Sequence, residues 1–322
     1  MKKIILTDTH FGVKQNSITW LNSQKKFICD QFIEHIINMH EPVEIVHLGD
    51  VFDSRSSIST LIANEVVNMF RLMCNCENVT KIYIVAGNHD FYSPNSDEVN
   101  TVNLLLSNIS DKINIIYNDN YIDPPYLYVP WYEWFDQDNI QKLVDDNNIE
   151  YVFTHADIIS SPVNVVGAKI FSGHTHIPYI KNQIYNLGSC FALNFSDSNS
   201  VRGFYILHDD GKLEFRENTK SIKFWRLFND DIFNHLDNIN KNDYLEIYIS
   251  QSNLGKTEYS DKLTNILADY KNVKLIPQMN EIGGIKLVDF EGYNIENIIY
   301  DSIPEMLNSK FKNILEKNKL NH

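Results

Sequence analysis

The chain has 322 residues, 43% hydrophobic and 12% aromatic, enough to bury a large core plus a smaller one and too apolar for a disordered chain. Its formal net charge of −14 lacks the basic footprint of an autonomous nucleic-acid binder. Residues 1–210 carry most of the excess, with 13 Lys and Arg against 25 Asp and Glu, whereas residues 211–322 hold 15 against 17.

The N-terminus, MKKIILTDTH, has a three-residue apolar run before Thr7. A secretory h-region needs about 7–15, and no later run approaches the roughly 18 needed to span a membrane. Cys29, Cys74, Cys76 and Cys190 are scattered and form no C-x-x-C pair, which reads as free thiols in a reducing compartment. A cytoplasmic protein without membrane contact is expected.

Strands are predicted at Lys3–Leu6, Glu44–Leu48, Lys81–Ala86, Tyr126–Val129, Glu150–Phe153 and Lys169–Phe171. Between the early ones, Trp20–Met39 (Phe27, Ile28, Phe32, Ile36) and Ile58–Met73 (Ile62, Val66, Met69, Phe70, Met73) space apolar residues as helices do. This alternation argues for an α/β layered domain. From Ile184 the pattern turns to strands, at Ile184–Leu187, Gly203–Leu207, Lys212–Arg216 and Ser221–Leu227. A domain boundary is expected between Lys220 and Phe228. A small α+β module follows, with strands Tyr244–Ser250 and Val273–Pro277 around a helix near Glu258–Tyr270. The last stretch, Pro304–Leu320, is helical in spacing and carries Lys310, Lys312, Lys317 and Lys319 against Glu316.

Five short segments, each after a predicted strand, offer metal-ligating side chains: Asp8-Thr-His10, Gly49-Asp50-Val-Phe-Asp53, Gly87-Asn88-His89-Asp90, Thr154-His155 and Gly173-His174-Thr-His176. In α/β sheets, ligands gather beyond the carboxyl ends of the strands, so residues far apart in sequence can converge there. The glycines suit tight strand-to-loop turns. Each segment alone is weak, since an isolated histidine is usually structural. The conjunction carries the signal, because five of eleven histidines fall inside these segments. His35, His40, His47, His208, His235 and His322 have no such pattern and read as structural, and Asp90 reads as a turn-stabilising acceptor.

Carboxylate and imidazole together suit Mn²⁺, Fe or Zn²⁺. A pair of such ions about 3.5–4 Å apart activates water and clamps phosphate oxygens. One carboxylate must then bridge the pair, and Asp50 is the natural candidate.

In this order the segments resemble the calcineurin-like metallophosphoesterases. D-x-H near the N-terminus, then G-D-x-F-D and G-N-H-D, is similar to the SbcD-type DNA repair nucleases, and the run DTHFGV fits their phage-type members best. The match covers residues 8–176. The resemblance implies an α/β fold, a β-sandwich flanked by helices with a small C-terminal α+β capping domain. It divides the chain into a nuclease domain (1–222), a DNA-facing capping domain (223–300) and a C-terminal segment (301–322). By motif position, Asp8, His10 and His176 would hold one metal and Asn88, His155 and His174 the other, with Asp50 shared. His89 would protonate the leaving group or stabilise the transition state. Asp53 stands where some relatives place a carboxylate that orients this histidine, and others have histidine there. Two divalent ions, Mn²⁺ foremost, are implied, together with DNA as substrate and an SbcC-type coiled-coil ABC ATPase as partner.

Pro304–Leu320 either docks that ATPase or packs on its own domain. The helices Trp20–Met39 and Ile58–Met73 carry apolar residues beyond one buried face, such as Leu61, Val67 and Leu72, and family members dimerise through this region, so a homodimer is expected. A small-molecule or nucleotide phosphodiesterase or phosphatase with the same centre is the alternative, mildly favoured by the negative charge. Against it, phosphoprotein phosphatases of this superfamily carry G-D-x-x-D-R-G where this chain has Gly49-Asp-Val-Phe-Asp-Ser-Arg55. Arg55 therefore reads as a surface arginine rather than a phosphate clamp. A non-catalytic scaffold is disfavoured because no ligand is missing.

Overall fold

The computed structural model describes residues 1–93, 96–131, 136–158, 165–254 and 256–278. The expected C-terminal helix Pro304–Leu320 lies outside these residues, as does the end of the expected 223–300 domain. The chain divides into two compact units that part between Phe224 and Trp225.

In the first unit the strands are β1 (Lys2–Leu6), β2 (Val43–His47), β3 (Val79–Val85), β4 (Phe91–Ser93), β5 (Ser96–Asn100), β6 (Ile113–Ile116), β7 (Tyr121–Asp123), β8 (Tyr126–Val129), β9 (Tyr151–Thr154), β10 (Lys169–Ser172), β11 (Tyr179–Lys181), β12 (Ile184–Asn186), β13 (Gly203–Leu207) and β14 (Leu213–Glu217). They build two six-stranded sheets, ordered β14-β13-β1-β2-β3-β6 and β11-β12-β10-β9-β8-β7. In the first sheet β1, β2, β3 and β6 run parallel, and β13 and β14 are antiparallel additions. In the second, β8, β9, β10 and β12 run parallel between antiparallel edges. Near-continuous apolar runs such as Ile4-Ile5-Leu6 are what strands covered on both faces require.

The inner faces of the sheets meet in one core. Ile5, Val46, Leu48 and Val85 of the first sheet's strands and their ends pack on an aromatic row from the second, Tyr128, Phe153 and Phe171, continued by Tyr185. Adjacent rings in that row stand 5.3, 5.4 and 5.0 Å apart, matching the pairing of Tyr128 with Phe153, Phe153 with Phe171, and Phe171 with Tyr185 across neighbouring strands. Helices cover the outer faces. Ile140 and Val144 of the helix Gln137–Asn147 pack on Leu127, Val152 and Ile170. On the first sheet, Phe27 and Phe32 close on Phe204 at ring distances of 6.1 and 5.1 Å.

The helix expected at Trp20–Met39 is not a continuous α-helix. It runs Ile18–Phe27, widens to a π-helical turn at Ile28–Ile33 and ends with Glu34–Ile37. The second expected helix is Thr60–Asn75, started by Ser59, whose hydroxyl accepts a hydrogen bond from the Ile62 amide at 3.2 Å.

From Trp225 onward the second unit holds the rest of β15 (Phe224–Phe228), then β16 (Tyr244–Ser250) and β17 (Asn272–Gln278) in that spatial order, with β16 and β17 parallel and the helix Thr257–Leu267 between them in sequence. Leu245, Ile247 and Ile249 pack with Leu263 and Leu267 from that helix, which is the expected α+β pattern. Among the described residues no helix is long and apolar enough to cross a membrane.

Candidate metal centre

All five ligand-bearing segments leave the carboxyl ends of parallel strands: β1, β2 and β3 in one sheet, β9 and β10 in the other. Two of these segments continue side by side after their strands end. The Asp8 amide donates to the Gly49 carbonyl at 3.0 Å, His10 to Asp50 at 3.0 Å and Phe11 to Val51 at 2.9 Å. To aim side chains into one point, four residues adopt left-handed backbone: Asp8 (φ 51°), His10 (44°), Asp50 (53°) and His174 (73°). Such conformations are sparse for residues with a Cβ and cluster at functional sites.

The motif glycines serve close approach more than turning. A Cβ at Gly87 would lie 2.3 Å from both the amide nitrogen and Oδ1 of Asp50, and one at Gly173 would lie 2.1 Å from the Thr7 hydroxyl and 2.7 Å from Asp8 Oδ2. Only Gly49 among the three also has positive φ, at 86°.

The seven side chains Asp8, His10, Asp50, Asn88, His155, His174 and His176 converge. One group joins Asp8, His10 and His176, and another joins Asp50, His155 and His174. In the first, His10 Nε2 lies 3.1 Å from His176 Nε2 and 3.7 Å from Asp8 Oδ1. In the second, one amide oxygen, Asn88 Oδ1, faces His155 Nε2 at 3.1 Å and His174 Nδ1 at 2.9 Å. Asp50 connects them through a single atom: its Oδ2 is 3.6 Å from His10 Nε2 and 3.3 Å from His155 Nε2. Its other oxygen accepts the His89 amide at 2.8 Å.

These contacts fit cations better than they fit each other. The Leu48 carbonyl, 2.6 Å from His155 Nδ1, can only accept, so Nδ1 carries a proton and Nε2 is turned toward two oxygen acceptors. Positive charge between them resolves that clash. Asp8 Oδ1 is buried with no hydrogen bond among the described residues. In the metal-free protein protons fill the deficit. Burial opposes charge on His10, yet Asp53, Asp8 and Asp50 outweigh it and push it up to about 10. Burial likewise opposes charge on His155, but Asp50 and Asp8 raise it to about 9. Burial raises the Asp50 carboxyl, and the surrounding histidines, led by His155, pull it well below the carboxylate range.

A cavity of about 230 Å³ opens over this cluster, lined by His10, Asp50, Asn88, His89, His174 and His176 and also by Asp53, Val13, Lys14, Leu193 and Asn194. The His89 ring is held by Asp53, but through the main chain: Nδ1 donates to the Asp53 carbonyl at 2.5 Å. The Asp53 carboxylate instead stands 3.4 Å from His10 Nδ1. Asp90 is buried and accepts the amides of Gly87 (2.9 Å), Val51 (3.0 Å) and Phe52 (3.3 Å), as a loop-holding acceptor should. Burial, with Asp50 nearby, pushes it up to about 7. Among the histidines read as structural, His47 is buried against the Thr9 hydroxyl at 3.0 Å, and burial lowers it to about 3. Arg55 lies 5.9 Å over the Trp131 ring and does not line the cavity. Lys14, Leu193 and Asn194 were not singled out by sequence, since none belongs to a ligand-type pattern.

A comparison with curated proteins found no match. The family described as calcineurin-like phosphoesterase matches residues 1–178, which span every side chain of the cluster. This chain belongs to the calcineurin-like phosphoesterases.

Proposed function

We propose that the chain is a dimetal DNA nuclease that hydrolyses phosphodiesters in DNA repair or recombination together with a coiled-coil ABC-type ATPase. The observation that carries the dimetal reading is the single Asp50 oxygen facing both ligand groups, at 3.6 Å from His10 and 3.3 Å from His155. The finer nuclease reading is supported by the motif wording D-x-H, G-D-x-F-D and G-N-H-D, and by the α+β unit that follows the phosphoesterase domain.

Asp8, His10 and His176 would hold one divalent ion, Asn88, His155 and His174 the other, and Asp50 both. When bound, the pair supplies a nucleophile at neutral pH and offsets charge on the phosphate. His89 has one nitrogen committed to the Asp53 carbonyl, which leaves Nε2 to exchange a proton. It gives that proton to the oxygen that leaves phosphorus, or stabilises charge there. The imidazole-rich ligand set favours Mn²⁺, Fe or Zn²⁺ over Mg²⁺, with Mn²⁺ preferred here. Mn²⁺-dependent digestion of end-labelled duplex DNA, with and without a candidate ATPase, tests this directly. Cleavage of a generic diester with no cleavage of any DNA would refute the nuclease reading.

The net charge of −14 favours the second reading, a nucleotide or small-molecule phosphodiesterase. Generic-diester turnover without DNA cleavage would establish it. A homodimer through the two long helical segments is part of the first reading, supported by exposed Ile18, Ile37, Leu61 and Leu72. A monomer mass by light scattering at micromolar concentration would refute it.

A further inference from the structure

Among the described residues Lys14 is the one Lys or Arg that lines the cavity over the metal ligands, and its ammonium has no ion-pair partner. Its position is built. Immediately after ligand His10 the chain turns into a left-handed coil: Gly12 has φ 97°, and Lys14, Gln15 and Asn16 have φ 55°, 57° and 62°. L-residues avoid this conformation, and consecutive ones are rarer still. Several bonds hold it. Val13 donates to the His10 carbonyl at 3.1 Å and is buried, and the Asn16 amide donates to the Gly12 carbonyl at 2.8 Å. The Asn16 side-chain oxygen accepts the Ser59 amide at 2.9 Å, at the residue that starts the helix Thr60–Asn75. The turn is thereby pinned to ligand His10 at one end and to a helix start at the other.

A bound pair of dications compensates the phosphate under attack, but it does nothing for a neighbouring phosphate. An exposed, unpaired lysine on a flexible stem among the residues that line the cavity is suited to that second anion. We infer that Lys14 is a specificity-determining residue that contacts a phosphate adjacent to the scissile one, so that the substrate class is a phosphodiester carrying a second phosphate, as in a polynucleotide. This rests on the phosphodiesterase reading of the centre and deepens it.

The test uses chromogenic nucleotide esters in Mn²⁺. The p-nitrophenyl ester of thymidine 5′-phosphate is compared with its 3′-phosphorylated analogue, and the ester of thymidine 3′-phosphate with its 5′-phosphorylated analogue. Wild type should prefer the doubly phosphorylated member of at least one pair by on the order of tenfold in kcat/KM, as a charge-assisted contact provides. Lys14→Ala and Lys14→Gly should lose the preference mainly through KM, and Lys14→Arg should keep it. Lys14→Gly should in addition raise the melting temperature, because glycine relaxes the left-handed turn; a merely structural lysine would not combine a gain in stability with a lost preference. Turnover without preference in wild type, or a preference that survives in the Ala and Gly variants, would overturn the assignment while leaving the phosphodiesterase reading intact. Absence of turnover on all four esters would overturn both.

Discussion

The histidines of this centre differ in what their second nitrogen touches, and the proposed roles of ligand and proton donor follow that difference. His155 and His89 each give Nδ1 to a main-chain carbonyl, of Leu48 and Asp53 respectively, but only His155 turns Nε2 onto Asn88 and Asp50. Replacing His89 by Asn should therefore leave metal content unchanged, measured by elemental analysis, and lower the rate by on the order of 10²–10⁴. Loss of metal would make His89 a ligand. Asp50→Asn should abolish activity and empty both sites, because one oxygen serves the two groups; a variant that keeps full occupancy would refute the shared role. At this scale the residues that converge were legible in the sequence, since each sits in a short motif beyond a strand. The hold on His89 was not. The expected partner was the Asp53 carboxylate, whereas the atom in contact is the Asp53 carbonyl, and main-chain groups leave no trace in residue identity.

Among the elements, those with long apolar runs were readable, and β1, β2, β3, β9, β10 and β16 lie within a residue or two of their expected spans. Several of the misses come from too little apolar patterning. The helix Gln137–Asn147 buries only Ile140 and Val144, and β7 and β11 are short antiparallel edges. The left-handed coil at Lys14–Asn16 was hidden because Lys and Gln carry no preference for it. At roughly 1–2 kcal/mol per residue it is a real cost that the surrounding bonds must offset. Motif glycines make a sharper prediction. Gly87→Ala would drive a methyl to 2.3 Å from both the Asp50 amide and its carboxylate, and neither can retreat without moving a ligand. Metal affinity and melting temperature should both fall, as calorimetry would show; wild-type values for both would mean that the close approach is not needed.

Across the whole molecule, acidity and metal affinity are linked. The first unit concentrates carboxylates, and in the absence of cations His10 and His155 hold protons with values near 10 and 9. Both are raised above the ordinary histidine value, so at pH 8 the metal-free centre is protonated, and binding must expel those protons. Titration calorimetry in buffers of different ionisation enthalpy should register release of one to two protons per centre, an order-of-magnitude expectation, and affinity should weaken as pH falls. Binding without proton release would contradict the charge balance drawn from the ligand geometry.

The origin of the ligands has one more consequence. Asp8, His10, Asp50 and Asn88 come from the loops of one sheet, and His155, His174 and His176 from the other, so each ion would be gripped from both layers of the sandwich. Such ions act as rivets through the rim. Chelation should quicken amide hydrogen exchange in both sets of loops together and leave the far end of the sandwich, around the Lys3–Glu44 pair, at its former rate.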